Sequence, residues 1–559
     1  MSQTPKKQNF LHGAALLAMA TAIVKVIGAL YKIPLKMIIG DTGYGYFVTA
    51  YDIYSVLLMI STAGLPIAMS RMISQVSALR RYNQVRRVYK TSRAIFLILG
   101  ILSCALMTIF CRELAQFQGQ PDAWAAIACL APGSLLICIM STFRGFFQGQ
   151  SDMRPTSSSQ ILEAAVKLVV GLAAAYALMF LTQSVALAAA GAILGVTVSC
   201  IASTMFLYVK FRPAYADLPQ TGDEPDSYAT TAKNLLAIAV PITIGSAGLQ
   251  LLAVLQTSMY MGQLRVGLDA TLSAAELENL LLAYGYSGEA LSRADGIQYI
   301  MDTRKGIYNM AATISNMPCA FIVPITVSIL PAVTSHLTLM NHQAVKATEE
   351  SAARITGLIA LPCSVGLLVL AQPIMGLLGG YSGEKLELAS ALMALLSLTV
   401  FLYCVSQLIA SILQAHGYAH LPVINMLLAG VMNMAVLYVL AGNPAIGILA
   451  APIGTILCYL AISILNIFCL YRTMKDRPAL ISNLLRPALP TAIMGGAVYA
   501  CYWAMTELLH LSSNLLLCAI PIVIGVAVYA VCAIAFKSIT REDCLLLPKG
   551  ETIARLLRM

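Results

Sequence analysis

Charged side chains are scarce in this sequence. Asp, Glu, Lys and Arg make up 11% of its 559 residues, whereas 59% are hydrophobic and the mean hydropathy is +0.80. Soluble domains carry about 25% charged residues, so the chain is far more apolar than a soluble core requires. The composition is typical of a polytopic membrane protein.

The sequence also lacks any paired cysteine motif. Its 14 Cys are scattered singly, nearly all inside apolar runs. Zinc and redox sites need cysteines or histidines at short, regular spacing, and no such spacing occurs. We therefore expect the cysteines to act as small, buried hydrophobic side chains. We expect no bound metal and no cofactor.

Apolar runs long enough to cross a bilayer fill the chain. A span takes roughly 20 residues, because the hydrocarbon is about 30 Å thick. We predict an all-α polytopic protein of the cytoplasmic membrane with 14 transmembrane helices. Their approximate limits are 11–38, 46–79, 93–111, 123–148, 157–180, 184–209, 232–262, 306–335, 352–379, 387–414, 421–441, 445–471, 481–506 and 513–536.

The distribution of basic residues predicts the orientation. If the N-terminus is cytoplasmic, roughly two thirds of the 35 Lys and Arg lie on the cytoplasmic side, as the positive-inside rule demands. Both termini are then cytoplasmic. The net charge of +10 reflects this topology and the attraction of anionic headgroups, and it predicts no nucleic-acid partner.

An internal repeat divides the chain. LPIAMS (65–70) recurs as LPAVTS (330–335), and FFQGQSDMRP (146–155) aligns with LQAHGYAHLP (413–422) at nearly the same offset. The repeat predicts two parallel six-helix lobes, an architecture of transporters. We expect an N-lobe at 1–220, a C-lobe at 221–475, and a helix pair with a cytoplasmic amphipathic tail at 476–559. The C-lobe would contain an outward amphipathic insertion at 263–305.

Three lysines interrupt the first span. Lys25, Lys32 and Lys36 fall within about 40° of one another on a helical wheel. Unpaired lysines facing lipid would cost about 2.5 to 3.5 kcal/mol each, so the stripe is expected to line an aqueous cavity. For Lys36, near the outer end, snorkelling is the alternative.

Further charge lies in the other spans of the first lobe. Arg71, Arg144 and Lys167 are basic there, and Asp52 and Glu163 are acidic. Counted with the lysine stripe, the surplus is four positive charges. A cationic membrane cavity calls for an anion, and phosphate or pyrophosphate suits Lys and Arg. Anchoring of Arg71 and Arg144 at helix ends is the alternative.

The second lobe offers amides and hydroxyls instead of charge. Gln256, Tyr260, Asn309 and Asn316 are candidates for a polar cavity wall that binds a sugar or peptide, or for simple interhelical hydrogen bonding. Arg304 and Lys305 precede the eighth predicted helix. They would draw the anion outward or be solvated.

These features resemble a known family. The lysine-striped first helix, GDTGYGYFVTAYDIYSVLLMISTAGLPIAMSRMIS (40–74) and the FFQGQSDMRP turn are similar to oligosaccharide flippases of the multidrug/oligosaccharidyl-lipid/polysaccharide superfamily, in the stage V sporulation protein B and MurJ-like branch. The resemblance implies that the cargo is lipid II, an undecaprenyl-pyrophosphate-linked glycan, and that membrane lipids and cell-wall synthesis proteins are partners.

The resemblance also implies roles for individual residues. Lys25, Lys32, Arg71 and Arg304 or Lys305 would bind the pyrophosphate, and 481–536 would hold the polyprenyl tail. The family's sodium site uses acidic residues on helices seven and eleven. Neither 232–262 nor 421–441 contains Asp or Glu, so coupling would fall to membrane potential or to protons on Asp52 or Glu163.

Two other functions stay open. A drug or metabolite exporter of the same superfamily would share the repeat, although such exporters mostly move cations. A membrane glycosyltransferase or polymerase would need acidic catalytic groups. The acidic stretch TGDEPDSY (221–228) is expected to be a solvated linker instead.

Overall fold

Helices form all the regular structure in the part of the chain that is described. The computed structural model describes residues 6–59, 64–150, 152–286, 291–320, 322, 333, 337, 340–443, 445–474, 478–511 and 513–538. Helices satisfy every backbone group internally, as hydrocarbon requires. They are α1 (Lys6–Met59), α2 (Leu65–Ala78), α3 (Tyr82–Ile109), α4 (Cys111–Phe117), α5 (Trp124–Gly149), α6 (Arg154–Thr182), α7 (Val185–Ala216), α8 (Tyr228–Thr271), α9 (Ala274–Ala283), α10 (Arg293–Ser315), α11 (His342–Val369), α12 (Ala371–Leu378), α13 (Gly383–Ala415), α14 (His420–Ala441), α15 (Ala450–Thr473), α16 (Leu480–Leu485), α17 (Ala488–Trp503) and α18 (Asn514–Ala535).

The first helix folds back on itself. Gly40 has φ 69° and ψ −174°, a backbone conformation that favours glycine, and it separates α1 into two arms. The rings of Tyr31 and Phe47 lie 5.8 Å apart, edge to face. A straight helix would separate them by about 24 Å, so the arms form a hairpin.

Nine helices of the described ranges are long and apolar enough to cross a membrane. The count of 14 and the cytoplasmic location of both termini stay predictions. The tail beyond Ser538 and most of 321–339, which includes the repeat LPAVTS, lie outside the described residues.

The chain forms two compact units. The first comprises Met1–Gly262 and Met301–Gly306, and the second comprises Gln263–Ile300 and Ile307–Met559. Most of α8, up to Gly262, therefore packs with the N-terminal helices. The Nε2 of Gln118 donates to the backbone oxygen of Val254 at 3.1 Å, which fixes this part of α8.

The outward insertion is shorter than predicted. The helix α8 continues to Thr271 and α10 begins at Arg293, so only the stretch around α9 connects them. Ser273 and Glu276 form a capping box at the start of α9, and Leu277 is its buried residue. As a result, Arg304 and Lys305 lie within a helix instead of before one.

The second unit has its own core. Leu408, Ile412 and Leu413 of α13 are buried in a cluster with residues of α11, α15 and α16. Glu349 of α11 accepts from His416 at 2.8 Å beside this cluster. Helix α18 docks on α11, where Tyr529 donates to the backbone oxygen of Leu358 at 2.7 Å.

Candidate functional site

The hairpin of α1 buries Lys36 and Asp41 and partly buries Lys32 and Asp52. Tyr31 donates to the backbone oxygen of Ala192 at 3.1 Å and so holds the first arm against α7. The second arm carries Thr49 and Asp52. Since Lys32 and Asp52 would lie about 30 Å apart on a straight helix, their electrostatic interaction depends on the hairpin.

Lys36 is neutralised at the bend of this hairpin. Its Nζ lies 3.2 Å from Oδ1 of Asp41, and both side chains are almost completely buried, with 8% and 7% exposed. The snorkelling alternative for Lys36 is therefore wrong, because its ammonium points to a carboxylate inside the protein. Pairing of this kind offsets the cost of burying a charge.

Arg144 and Glu163 form a second ion pair. The Nη2 of Arg144 lies 3.0 Å from Oε2 of Glu163, and the two side chains are 13% and 25% exposed. The Nε of Arg144 also donates to Ser159 at 3.1 Å. This geometry joins α5 to α6, and binding of cargo by Arg144 stays a prediction.

Three lysines and one aspartate are linked by electrostatic interactions in the first unit, and we call this group the cationic cluster: Lys32, Asp52, Lys167 and Lys305. Two further carboxylates border it, since Glu163 interacts with Lys167 and Asp302 interacts with Lys305. Asp52 interacts electrostatically with Lys305 and Lys32, and Lys32 interacts with Lys167 and Asp52. Lys305 is only 2% exposed, so its predicted solvation is wrong. Ammonium groups in a low-dielectric interior repel one another strongly, and an added anion would relieve that repulsion.

Aromatic faces position Lys167. Its Nζ lies 5.9 Å from the ring centre of Tyr31 and 5.8 Å from that of Tyr51. Cation–π contacts at such distances favour a cation without neutralising it. Glu163 interacts electrostatically with Lys167 as well.

Lys305 reaches the cluster through a short segment of α10 that we call the clasp, Met301–Gly306. The Nζ of Lys305 donates to Oγ1 of Thr49 at 2.7 Å, and Thr49 in turn donates to Gln120. Tyr46 donates to Oδ2 of Asp302 at 3.1 Å. A methyl group at Gly306 would overlap with the backbone oxygen of Asp41, so the clasp lies directly on the hairpin.

The remaining predicted residues lie apart from the cluster. Lys25 and Arg71 are exposed, and Arg304 is partly buried on α10. Gln256 and the buried Tyr260 belong to the first unit, whereas Asn309 and the exposed Asn316 belong to the second. Whether Lys25 and Arg71 bind cargo stays a prediction.

Sequence reasoning missed several members of this network. The sequence count gave a surplus of four positive charges. Adding Lys305 and the two carboxylates of Asp41 and Asp302 changes this surplus to three. Both lie where the sequence predicted a turn or an outward loop, so they were not counted as buried charge. Their signals are Gly40, where the chain bends beside Asp41, and Gly306, which lies against the backbone of Asp41.

These features define a multi-pass helical membrane protein whose first unit holds a partly buried group of lysines and carboxylates. Comparison with known proteins agrees. The family model "Polysaccharide biosynthesis protein" matches residues 10–336, and the model "Lipid II flippase MurJ" matches residues 298–519. The chain belongs to the polysaccharide biosynthesis protein family, and its second half is similar to lipid II flippases.

Two relatives from Bacillus subtilis (strain 168) match over most of their length. Stage V sporulation protein B is 23% identical over 82% of this chain and 83% of its own. Lipid II flippase MurJ is 23% identical over 93% of each chain. The chain is accordingly a multi-pass protein of the cytoplasmic membrane.

Solved structures share the fold. An inward-facing multidrug resistance MATE family transporter has a TM-score of 0.60 and 17% identity, and covers 82% of this chain and 94% of its own. Lipid II flippase MurJ in an inward closed conformation has a TM-score of 0.59 and 14% identity, and covers 94% of this chain and 99% of its own.

Proposed function

We propose that this protein moves a polyprenyl-pyrophosphate-linked glycan, most simply lipid II, from the inner to the outer leaflet. The observation that carries the proposal is the cationic cluster, which brings Lys32, Lys167 and Lys305 together with Asp52. A pyrophosphate offers several strong acceptor oxygens to ammonium groups. It would compete for these ammonium groups with Asp52, Asp302 and Glu163.

In this mechanism Asp52 substitutes for the cargo while the site is empty. It keeps the ammonium groups of Lys32 and Lys305 paired, and the pyrophosphate would then take its place. Alternating access would expose the cluster first to the cytoplasm and then to the outside, with both chain termini cytoplasmic. The clasp would close the outer side, because Tyr46, Asp302 and Thr49 hold it against the hairpin.

The remaining parts of the chain have proposed roles as well. The segment 481–536 would carry the polyprenyl tail along exposed apolar residues such as Ile493, Trp503 and Val523. The lobes 1–220 and 221–475 would be the moving bodies. Coupling would not use an acidic sodium site, since α14 has no Asp or Glu.

A leaflet-accessibility assay in liposomes with a defined polyprenyl-pyrophosphate glycan tests this proposal. Lys32→Gln is expected to abolish transfer while membrane insertion persists, because the substitution removes one of three cargo-binding charges. Arg112→Gln changes an exposed arginine on α4 and serves as the matched control. Transfer at the unmodified rate by Lys32→Gln would refute the assignment of the cluster to the pyrophosphate.

A multidrug exporter is the second candidate, because the fold is shared with a MATE family transporter. The cationic cluster repels the cationic compounds that such an exporter would bind. Uptake of a cationic dye into inverted vesicles, driven by this protein and lost in Asp52→Asn, would favour the exporter. We expect no uptake above that of empty vesicles.

A further inference from the structure

A groove lies on the first unit, and no residue of the cationic cluster lines it. It has a volume of about 400 Å³, within the range of small-ligand sites. Helices α3, α5 and α7 line it, with Arg93 and Leu97 on the first, Phe143 on the second, and Ile201 and Tyr208 on the third. Its occupant is independent of the cargo proposed above.

The groove has an apolar floor and open apolar walls. Phe143 and Phe211 are 6% and 7% exposed, whereas Ile201 and Met205 are 50% and 68% exposed. On α7 the lining runs from Ile201 to Phe211, about 15 Å along the helix axis. This is half the thickness of the hydrocarbon layer, and thus the depth of one leaflet.

Positive charge marks one end of this groove. Arg93 is exposed there and lies close enough to Tyr89 and Tyr215 to interact with both. Lys90, Lys210 and Arg212 are exposed on the same ends of α3 and α7. Basic residues at this level attract the anionic headgroups of a bilayer.

A polar group lies inside the groove as well. The Oγ1 of Thr204 lines it and is buried without a hydrogen-bond partner among the described residues. An unsatisfied buried hydroxyl is costly, and an ester carbonyl of a lipid would accept its hydrogen bond. Apolar walls, an unpartnered hydroxyl at Thr204 and nearby basic residues correspond to the acyl, ester and phosphate parts of a phospholipid.

We propose that this groove binds one anionic phospholipid, with an acyl chain between α3 and α7 and the phosphate at Arg93. Native mass spectrometry of the full-length protein tests the proposal with phosphatidylglycerol and phosphatidylcholine of identical acyl chains. We expect retention of one phosphatidylglycerol in preference to phosphatidylcholine. Arg93→Gln should reduce that preference about fivefold, the effect of one basic residue near the surface.

A second variant tests the apolar part of the groove. Ile201→Trp should fill it and remove the bound lipid whatever its headgroup. Leu194→Trp is the matched control, because Leu194 is 44% exposed on the same helix but does not line the groove. Unchanged lipid retention in Ile201→Trp, an unchanged headgroup preference in Arg93→Gln, or preferential retention of undecaprenyl phosphate in this groove would each overturn the proposal.

Discussion

Lys305 donates a hydrogen bond of 2.7 Å to the hydroxyl of Thr49, although the two residues belong to different predicted lobes. Both are buried, at 2% and 0% exposed. The contact places a lysine from α10 beside Asp52 and Lys32, which both lie on α1. The charge of the candidate site is therefore assembled from segments far apart in the sequence.

Replacement of Lys305 should weaken cargo binding. A hydrogen bond to a charged group contributes about 1.5–3 kcal/mol, so Lys305→Gln is expected to lower the affinity for a polyprenyl pyrophosphate by about tenfold or more. Titration of the purified protein by native mass spectrometry measures the loss. Equal affinities of Lys305→Gln and the exposed control Arg112→Gln would contradict the prediction.

The close approach of the clasp to the hairpin predicts sensitivity at Gly306. An added methyl group would overlap with the backbone oxygen of Asp41, and backbone atoms cannot move aside cheaply. Gly306→Ala should abolish flipping in a leaflet-accessibility assay while the protein still inserts. Gly296→Ala, on the same helix, meets only the side chains of Leu277 and Leu281 and should retain activity. Equal activity of the two variants would show that the clasp tolerates displacement.

The ion pair of Arg144 and Glu163 predicts non-additive effects on stability. Removal of one partner leaves a partly buried charge, so each of Arg144→Gln and Glu163→Gln should lower the unfolding temperature. The double variant should lose less than the sum of the two. Differential scanning calorimetry in detergent measures the unfolding temperatures of the unmodified protein and the three variants. If the loss in the double variant equals the sum of the two single losses, the pair is not coupled.

The linker between the predicted lobes caps α3. Asp223 accepts from the backbone N–H groups of Asn83 and Gln84 at 3.2 and 3.1 Å, where the first turn of the helix has free donors. Partial burial pushes the pKa of Asp223 up, but bonds from Thr221 and these backbone groups hold the pKa below its ordinary value. The carboxylate therefore contributes stability above a pH of about 4, the ordinary pKa of Asp, and loses it as the pH falls through the lowered pKa.

Asp223→Asn should accordingly cost about 1 kcal/mol at neutral pH, a typical value for a lost cap. Thermal unfolding at pH 7 and at the lowest pH that the protein tolerates measures the change. The difference from the unmodified protein should shrink as the pH falls below about 4. Exposed Glu224 in the same linker provides the control Glu224→Gln, which should match the unmodified protein at both values. A pH-independent difference would mean that the carboxylate charge is not involved.

The lysine stripe shows how far sequence reasoning reaches. Three lysines inside an apolar run demand partners or water, and the structure provides a carboxylate for Lys36 and a shared one for Lys32. The carboxylate of Asp41 could not be assigned from sequence, because the prediction placed it in a loop. Asp41 is buried only because the chain bends at Gly40.

The sequence by itself determined the helical class, the membrane location and the presence of buried cations. A chain that crosses hydrocarbon must have long apolar runs and few charges, and both are visible in the sequence. The tertiary structure decided which of these cations lie together. Lys305, Lys167 and Lys32 come from three helices, and hydropathy carries no information on which helices pack side by side. Chain reversal at Gly40 and docking of the clasp on the hairpin made that choice.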